Sequence, residues 1–282
     1  MDARLTLTLA NPMGEIADAA LEGLIPAPVY RAPTPMQATA PRAAIQKAPA
    51  LDAEQVDELL FGEGFAVLET DGEFVFGQAM RDGYVGWVEA ALLGDPGPSP
   101  THRISALAAL AFDEPSIKAP VVHRLSLNAL AAVEAREGRF LKLHGSGWVV
   151  EQHLAPIGVF TDDPAAVALL FLGTPYLWGG RSSDGLDCSG LVQQALYACG
   201  FACPRDSDQQ QALGAMLDAR DLSVLERNDL VFWAGHVGIM LDGARLLHAN
   251  ADAMLVSIEP IREAVARIAA AGSGAPSALR RL

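Results

Sequence analysis

The chain has 282 residues, of which 51% are hydrophobic and 19% are charged, and its formal net charge is -14. This composition excludes a disordered chain and favours a globular protein of two or more domains. The negative charge argues against a nucleic-acid-binding surface, which is normally basic. Three cysteines, an odd number, do not make a disulfide framework.

The N-terminal residues carry no pattern for secretion. One basic residue and an early acid precede Leu9, and no apolar run of about 7–15 residues follows. No apolar run approaches the roughly 18 residues of a membrane span. If Met1 is the native start, we expect the protein to stay in the cytoplasm, with neither membrane nor nucleic acid as a partner.

Two small all-β units are predicted after an N-terminal lead-in. Proline and alanine dominate residues 1–41 and predict an extended segment, with one helical turn around residues 15–21. Residues 42–95 and 101–158 show short strands, with hairpin signals at Asp71-Gly72 and Glu137-Gly138. A run rich in proline and glycine separates the two units.

A faint repeat relates these units. Val85-Gly86-Trp87-Val88 ends the first and Ser146-Gly147-Trp148-Val149 ends the second, and such endings resemble those of bacterial SH3-like barrels. The first unit is longer before its tryptophan, and the extra residues include Tyr84, which has no counterpart in the second. A tyrosine in a strand usually packs, so a structural role is the alternative for Tyr84.

Residues 173–192 carry the clearest chemical signal. A glycine-rich loop ends in Asp187-Cys188-Ser189, and apolar residues at helical spacing follow, with Gly200 as a C-terminal stop. We therefore predict Cys188 in the first turn of a helix, where unpaired N–H groups and the helix dipole favour a thiolate. A buried structural cysteine is the alternative.

A nucleophilic thiol needs a base, and the base needs a group that orients it. His236 and His248 lie in two later strands, and a three-residue turn at 242–244 would place them as diagonal neighbours on one face. Cys188 could then be the nucleophile, His236 the base and His248 the orienting group. Two surface histidines are one alternative, and a zinc site with these three ligands is another.

Several sequence blocks resemble the NlpC-type cell-wall peptidases, a papain-like group with an α+β fold. In the family's order they are Gly173-Thr174-Pro175-Tyr176-Leu177-Trp178-Gly179-Gly180, Asp187-Cys188-Ser189-Gly190-Leu191-Val192, Asp229-Leu230-Val231-Phe232-Trp233, His236-Val237-Gly238-Ile239 and His248-Ala249. The resemblance covers residues 160–262 and implies a peptidase domain at 160–270, followed by a tail at 271–282 whose composition predicts mobility. With two SH3-like barrels upstream, the chain is similar to the γ-D-glutamyl-L-diamino-acid endopeptidases.

The resemblance implies that the Cys188 thiolate attacks the amide after γ-D-Glu and that the acyl-enzyme is then hydrolysed. His236 serves as base and then acid, and His248 holds its ring. The Tyr176 hydroxyl and the backbone N–H of Cys188 bind the oxyanion. No cofactor and no metal are implied.

Further matches imply a site for a free N-terminal amine. Asp206 and Ser207 resemble the element that receives the amine of L-Ala, although such a pair is ordinarily a turn or helix cap. Tyr84 resembles a tyrosine that the first barrel leans into the cleft. The other substrate-binding candidates are Trp178, Asp187, Ser189 and Arg205.

The implied function is hydrolysis of the γ-D-Glu–diamino-acid amide in murein tri- and tetrapeptides with a free N-terminal L-Ala, during cell-wall peptide recycling. The diamino acid could be meso-diaminopimelate or L-lysine. A papain-like amidase or acyltransferase on another substrate is one alternative, and a non-catalytic murein-peptide-binding protein is another. The joint presence of Cys188, His236, His248 and Tyr176 argues against the non-catalytic alternative.

Overall fold

The computed structural model describes residues 1–11 and 14–282. Residues 12 and 13, part of the predicted lead-in, lie outside the described residues. The chain divides into two compact units, Met1–Ile157 and Gly158–Leu282. The first unit consists of strands and short 3-10 turns, and the second of four α-helices and eight strands. This is the predicted order, in which β barrels precede an α+β domain. Within the described part of the chain, no helix is long and apolar enough to cross a membrane.

Residues 1–41 contain more structure than the predicted lead-in. A small sheet of order β1-β2-β3 comprises β1 (Thr8–Asn11), β2 (Gly14–Asp18) and β3 (Val29–Arg31). The predicted helical turn is a 3-10 turn at Ala19–Leu21, which Asp18 caps. Leu7 and Ile16 pack against Trp87 of the first barrel. This burial stabilises the segment, and the short, proline-interrupted sequence gives no local sign of it.

The first barrel begins before the predicted boundary at residue 42. Its strands are β4 (Thr34–Ala38), β5 (Arg42–Gln46), β6 (Gln55–Leu60), β7 (Gly64–Asp71), β8 (Phe74–Ala79), β9 (Val85–Glu89) and β10 (Leu93–Gly94). They form one sheet of order β10-β4-β7-β8-β9-β5-β6. Asp71 pairs with Phe74 across the predicted hairpin turn, where Gly72 adopts a φ of 58°. The barrel begins earlier than predicted because β4 pairs with β7, a strand that lies far away in sequence.

The second barrel packs directly against the first. Its strands are β11 (His102–Ile104), β12 (Ala108–Phe112), β13 (Val121–Ser126), β14 (Leu130–Ala131), β15 (Val133–Glu137), β16 (Phe140–Leu143), β17 (Trp148–Val150) and β18 (Leu154–Pro156). They form sheets of order β14-β11-β18 and β13-β12-β17-β16-β15. Phe61 of the first barrel lies in the second barrel's core. A Cβ at Gly62 would lie 2.1 Å from the carbonyl oxygen of Leu130, so the two backbones meet there.

The second unit packs helices against an antiparallel sheet. Its helices are α1 (Pro164–Leu169), α2 (Cys188–Ala198), α3 (Ser207–Gln210) and α4 (Ile261–Ala270). A two-stranded ladder joins β19 (Arg181–Ser182) and β20 (Gly185–Leu186), and the main strands are β21 (Ala215–Leu217), β22 (Leu230–Trp233), β23 (His236–Met240), β24 (Arg245–Asn250), β25 (Leu255–Pro260) and β26 (Ala278–Arg281). The main sheet has the order β21-β26-β22-β23-β24-β25. Helix α2, buried along its whole length, contacts β23 and β24.

Short 3-10 turns connect several of these elements, at Ala3–Leu5, Ala90–Leu92, Glu151–His153 and Leu222–Val224 in addition to the one described above. The predicted signals around α1 are confirmed. Asp163 caps the helix, Pro164 occupies its first position, and Gly173 follows with a φ of 83°.

The tail at 271–282 was predicted to be mobile, and that prediction is wrong for its last residues. Strand β26 lies inside the sheet, between β21 and β22. Leu279 is fully buried, and Arg281 donates two hydrogen bonds to Asp229, at 3.0 Å and 2.8 Å. Four residues are too few to show a strand period, and their hydrogen-bond partners lie far away in sequence.

We expect Leu279→Ala to destabilise the protein by about 2–5 kcal/mol, because it removes buried methyl groups from a packed core. Chemical denaturation measures this cost, and Leu282→Ala, at a residue 40% exposed, is the matched control. Equal and small effects of both substitutions would show that β26 does not contribute to the sheet core.

Candidate active site

Cys188 is the first residue of α2, as predicted. Asp187 precedes the helix with extended backbone, and its carboxylate accepts a hydrogen bond from the N–H of Gly190 at 2.8 Å. Burial raises the pKa of the Cys188 thiol to about 12, and the nearby Asp187 charge adds to the effect. The expectation of a helix-stabilised thiolate is therefore wrong for the isolated thiol, since desolvation outweighs the backbone N–H groups.

The two histidines meet as the three-residue turn predicts. Strands β23 and β24 pair Ile239 with Leu247 and Met240 with Leu246, which sets Gly238 opposite His248. A Cβ at Gly238 would lie 3.2 Å from the Cβ of His248, so the glycine permits this close pairing. The sheet therefore places His236 and His248 on one face.

His236 Nε2 lies 2.9 Å from His248 Nδ1, within hydrogen-bond distance. His248 is fully buried, so the alternative of two surface histidines is wrong. Burial lowers the pKa of His236 to about 3 and that of His248 to about 4, and neighbouring positive charge adds to both shifts. Both rings are neutral near pH 7. When His236 Nε2 donates the hydrogen bond to His248, Nδ1 of His236 carries no proton and can accept one.

Tyr176 supplies a hydroxyl that keeps its proton. Its backbone N–H donates to the carbonyl of Met254 at 2.9 Å, which ties the loop to the end of the β24–β25 hairpin. Burial raises the pKa of Tyr176 well above its usual value, and the charges of Cys188 and Asp187 raise it further. The hydroxyl is therefore protonated near neutral pH and can donate a hydrogen bond.

A buried ion pair holds the loop that carries the thiol. Arg205 donates to both carboxylate oxygens of Asp187, at 2.9 Å and 2.7 Å, and to Ser189 Oγ at 2.9 Å. The same carboxylate accepts the N–H of Gly179 at 2.9 Å. Asp187, Ser189 and Arg205 are all buried and bound to one another, directly beside Cys188. Their role in substrate binding stays a prediction.

Glycine at position 190 is required by a close approach of the loop to the helix. A Cβ at Gly190 would lie 2.4 Å from the carbonyl oxygen of Gly180. That carbonyl also accepts a hydrogen bond from Arg205 Nη2 at 3.3 Å. The glycine-rich motif therefore allows the loop, the helix and the ion pair to meet around the thiol.

The predicted amine-binding residues lie at the start of α3. Asp206 occupies the N-cap position, but its side chain makes no capping hydrogen bond, so the helix-cap alternative does not describe it. Ser207 begins the helix and is half-buried, as Asp206 is. Gln210 Nε2 donates to the carbonyls of Ser189 and Pro204, at 3.0 Å and 2.8 Å. These bonds place the start of α3 beside the Cys188 helix.

The two remaining candidates are aromatic. Trp178, in the glycine-rich loop, is 57% exposed and can contact a ligand. Tyr84 belongs to the first unit, where it is buried and its backbone N–H donates to Asp82 Oδ1 at 3.1 Å. Its role in substrate binding stays a prediction.

Sequence reasoning missed a carboxylate beside the histidines. Glu259 Oε1 lies 2.8 Å from His248 Nε2. Arg267 of α4 in turn binds Glu259. The only signal that could have identified Glu259 is the register of β24 with β25, which the loop sequence at 251–254 does not define.

Comparisons with known proteins identify both kinds of domain. The model of the NlpC/P60 family matches residues 173–271, and that of the bacterial dipeptidyl-peptidase SH3 domain matches residues 45–93. The chain is 28% identical over 229 residues to the γ-D-glutamyl-L-lysine dipeptidyl-peptidase of Bacillus subtilis (strain 168), covering 74% of this chain and 76% of the relative. It is 27% identical to dipeptidyl-peptidase 6 of Lysinibacillus sphaericus, covering 76% and 87% respectively.

A solved structure shows the same fold. The crystal structure of an NlpC/P60 family protein from Bacillus cereus ATCC 10987 superposes with a TM-score of 0.73 at 20% identity, covering 88% of this chain and 99% of that chain. Both predicted domain types, the SH3-like barrel and the papain-like domain, are thereby confirmed.

We expect Arg205→Met to destabilise the protein by about 3–5 kcal/mol, because it leaves the buried Asp187 carboxylate without its cation. Arg227→Met is the control, since Arg227 pairs with Asp163 at the surface and such pairs contribute about 0–1 kcal/mol. Chemical denaturation measures both. A loss at Arg205 no larger than that at Arg227 would contradict a scaffolding role for the buried pair.

Proposed function

Because the chain belongs to the NlpC/P60 family of cysteine peptidases and carries an N-terminal bacterial SH3 domain, we propose that it hydrolyses the amide between γ-D-Glu and a diamino acid in murein peptides with a free N-terminal L-Ala. The buried contact between His236 and His248 beside the thiol helix supports this most directly. The name of the Bacillus subtilis relative, a γ-D-glutamyl-L-lysine dipeptidyl-peptidase, supports the γ-D-glutamyl specificity.

Catalysis begins with proton transfer within the buried site. His236 Nδ1 accepts the proton of Cys188 as Sγ attacks the amide carbonyl carbon. Because burial disfavours each isolated ion, charge develops as a thiolate–imidazolium pair whose two halves neutralise each other. His248 accepts a hydrogen bond from His236 Nε2 and keeps the imidazolium in place.

The tetrahedral intermediate carries its negative charge on the former carbonyl oxygen. The Tyr176 hydroxyl and the backbone N–H of Cys188 donate to this oxyanion. The carbon–nitrogen bond then breaks as His236 returns the proton to the leaving amine of the diamino acid. A water molecule, deprotonated by His236, attacks the thioester, and the thiol regains its proton when the acid product leaves.

Recognition of the free amine belongs to the start of α3. The Asp206 carboxylate would pair with the ammonium group of L-Ala, with Ser207 accepting a further hydrogen bond and the exposed Trp178 packing against the peptide. We assign Tyr84 to the same end of the substrate from the sequence resemblance. Either L-lysine or meso-diaminopimelate could follow γ-D-Glu.

Specificity for a free N-terminus makes the enzyme a recycler of released peptides, because L-Ala in the intact wall has no free amine. We place this reaction in the cytoplasm as part of the same proposal. Activity on wall-attached peptides would contradict both the recycling role and this location.

Mass spectrometry of peptide cleavage tests the reaction. We expect hydrolysis of L-Ala-γ-D-Glu-meso-diaminopimelate, of its L-lysine counterpart, or of both, and no hydrolysis of the N-acetylated forms. Cys188→Ala should abolish cleavage in every case and leave the folded structure intact. Cleavage of N-acetylated peptides at equal rates would remove the amine site from the proposal, and activity in the Cys188→Ala variant would overturn the nucleophile.

Binding measurements test the amine site separately. In the Cys188→Ala background, Asp206→Asn should weaken binding of the free-amine peptide about 10–100-fold, the loss expected for one charge-assisted hydrogen bond of about 1.5–3 kcal/mol. Binding of an analogue with hydrogen in place of the amine should not change. Tyr84→Phe is measured in the same way.

Asp208→Asn is the matched control, because Asp208 lies on the same helix and its side chain is exposed. Calorimetry with both ligands completes the comparison. If Asp206→Asn weakened both ligands equally, Asp206 would not be the amine receptor.

A further inference from the structure

We infer that Glu259 is a positioning residue for the catalytic histidines, which sets the tautomer of His248 and is itself held in place by Arg267. This inference rests on the proposed peptidase function. It adds to the cysteine and the two histidines a pair of charged groups that touch neither the substrate nor the reacting atoms.

The strand register brings Glu259 to His248. Strands β24 and β25 pair Leu246 with Glu259 and His248 with Ser257. Glu259 is therefore the diagonal neighbour of His248 on the same face of the sheet. Its Oε1 lies 2.8 Å from His248 Nε2, although the ring N–H does not point directly at the oxygen.

Arg267 fixes the carboxylate from the other side. Its Nη2 donates to Glu259 Oε1 at 2.5 Å, and its Nε donates to Oε2 at 3.4 Å. The Glu259 side chain is 20% exposed, whereas His248 is fully buried. The Glu259 carboxylate thus lies between the buried imidazole of His248 and the guanidinium of Arg267, which helix α4 holds in place.

The position of one proton links Glu259 to catalysis. With its Nε2–H facing Glu259, His248 has a bare Nδ1 that can accept the Nε2–H of His236. His236 then has a bare Nδ1, the form that can take the proton of Cys188. Without the carboxylate, His248 can carry its proton on Nδ1, and the hydrogen bond between the rings then reverses. His236 would hold its proton on Nδ1 and could not act as a base.

Several charges face the two rings, and their effects differ in sign. Glu259 and Asp187 raise the pKa of His236, whereas Arg267 and His248 lower it. Asp252, in the turn after β24, lies 3.8 Å from Arg267 Nη1 and is mostly exposed. Removal of the Glu259 charge leaves Arg267 as the dominant neighbour, which disfavours the imidazolium that must form during attack.

Alkylation of Cys188 by iodoacetamide tests this role without a peptide substrate. We expect Glu259→Gln to slow alkylation at pH 7 about 10-fold and to move the pH midpoint of the rate upward by about one unit. Glu263→Gln removes the same charge from an exposed position on α4 and should change neither quantity. An unchanged rate and midpoint in Glu259→Gln, or an equal effect in Glu263→Gln, would overturn the inference.

A second comparison separates positioning from general damage. In a His248→Asn background, which has no imidazole whose tautomer Glu259 could set, Glu259→Gln should slow alkylation less than twofold further. Glu259→Asp, which restores a carboxylate, should alkylate faster than Glu259→Gln, and thermal denaturation shows that each variant is folded. A full 10-fold loss in the His248→Asn background, or equal rates for the Asp and Gln variants, would contradict action through His248.

The result is independent of substrate identity. If the peptides proposed above were not cleaved but the alkylation pattern held, the substrate would be wrong and the role of Glu259 right. If cleavage occurred and the alkylation pattern failed, the proposed function would stand without this inference.

Discussion

The active site depends on the buried ion pair between Asp187 and Arg205. A single carboxylate caps the thiol helix, accepts the N–H of Gly179 and receives two hydrogen bonds from the guanidinium. A buried carboxylate is stable only with such compensation, and a buried guanidinium likewise. The loop, the helix and the segment before α3 are thus joined at one point, and Cys188 is the residue next to it.

Burial also determines how the catalytic groups can ionise. A thiol with a raised pKa and imidazoles with lowered pKa values cannot carry isolated charges near neutral pH. Proton transfer between them is favourable only if both charges appear together and neighbouring groups stabilise them. In the proposed mechanism, the Tyr176 hydroxyl and the Cys188 N–H stabilise the charge that forms on the substrate, and the contact of His236 with His248 stabilises the imidazolium. Glu259 contacts His248, and Arg267 binds Glu259, so the chain of contacts continues beyond the two histidines.

In the first unit, the two barrels are stabilised by packing against each other. Its two barrels share a contact in which Phe61 fills a neighbouring core and Gly62 lets two backbones touch. Arg81 supports this contact by donating to Glu63 at 2.6 Å and to the carbonyl of Asn128 at 3.0 Å. Small barrels have limited cores of their own, so packing against each other and against the N-terminal sheet supplies burial that each lacks.

Local sequence patterns were sufficient to predict those elements that depend on residues close together in the chain. The cap and first turn at Cys188, the helix start at Pro164, the hairpin at Gly72 and the facing histidines all follow from turn length, capping residues and strand alternation. The order of motifs also identified the domain types. These features are predictable because each depends on residues only a few positions apart.

Tertiary structure alone decided the rest. Strand β26 lies in the sheet because Leu279 and Arg281 find partners some fifty residues earlier, at β22 and Asp229. Arg205 positions the thiol loop, and Glu259 reaches His248 through a strand register that no motif encodes. The direction of the Cys188 pKa shift likewise depends on how much of the domain covers it. In each case the deciding quantity is burial or a long-range contact, and neither is visible in a local sequence pattern.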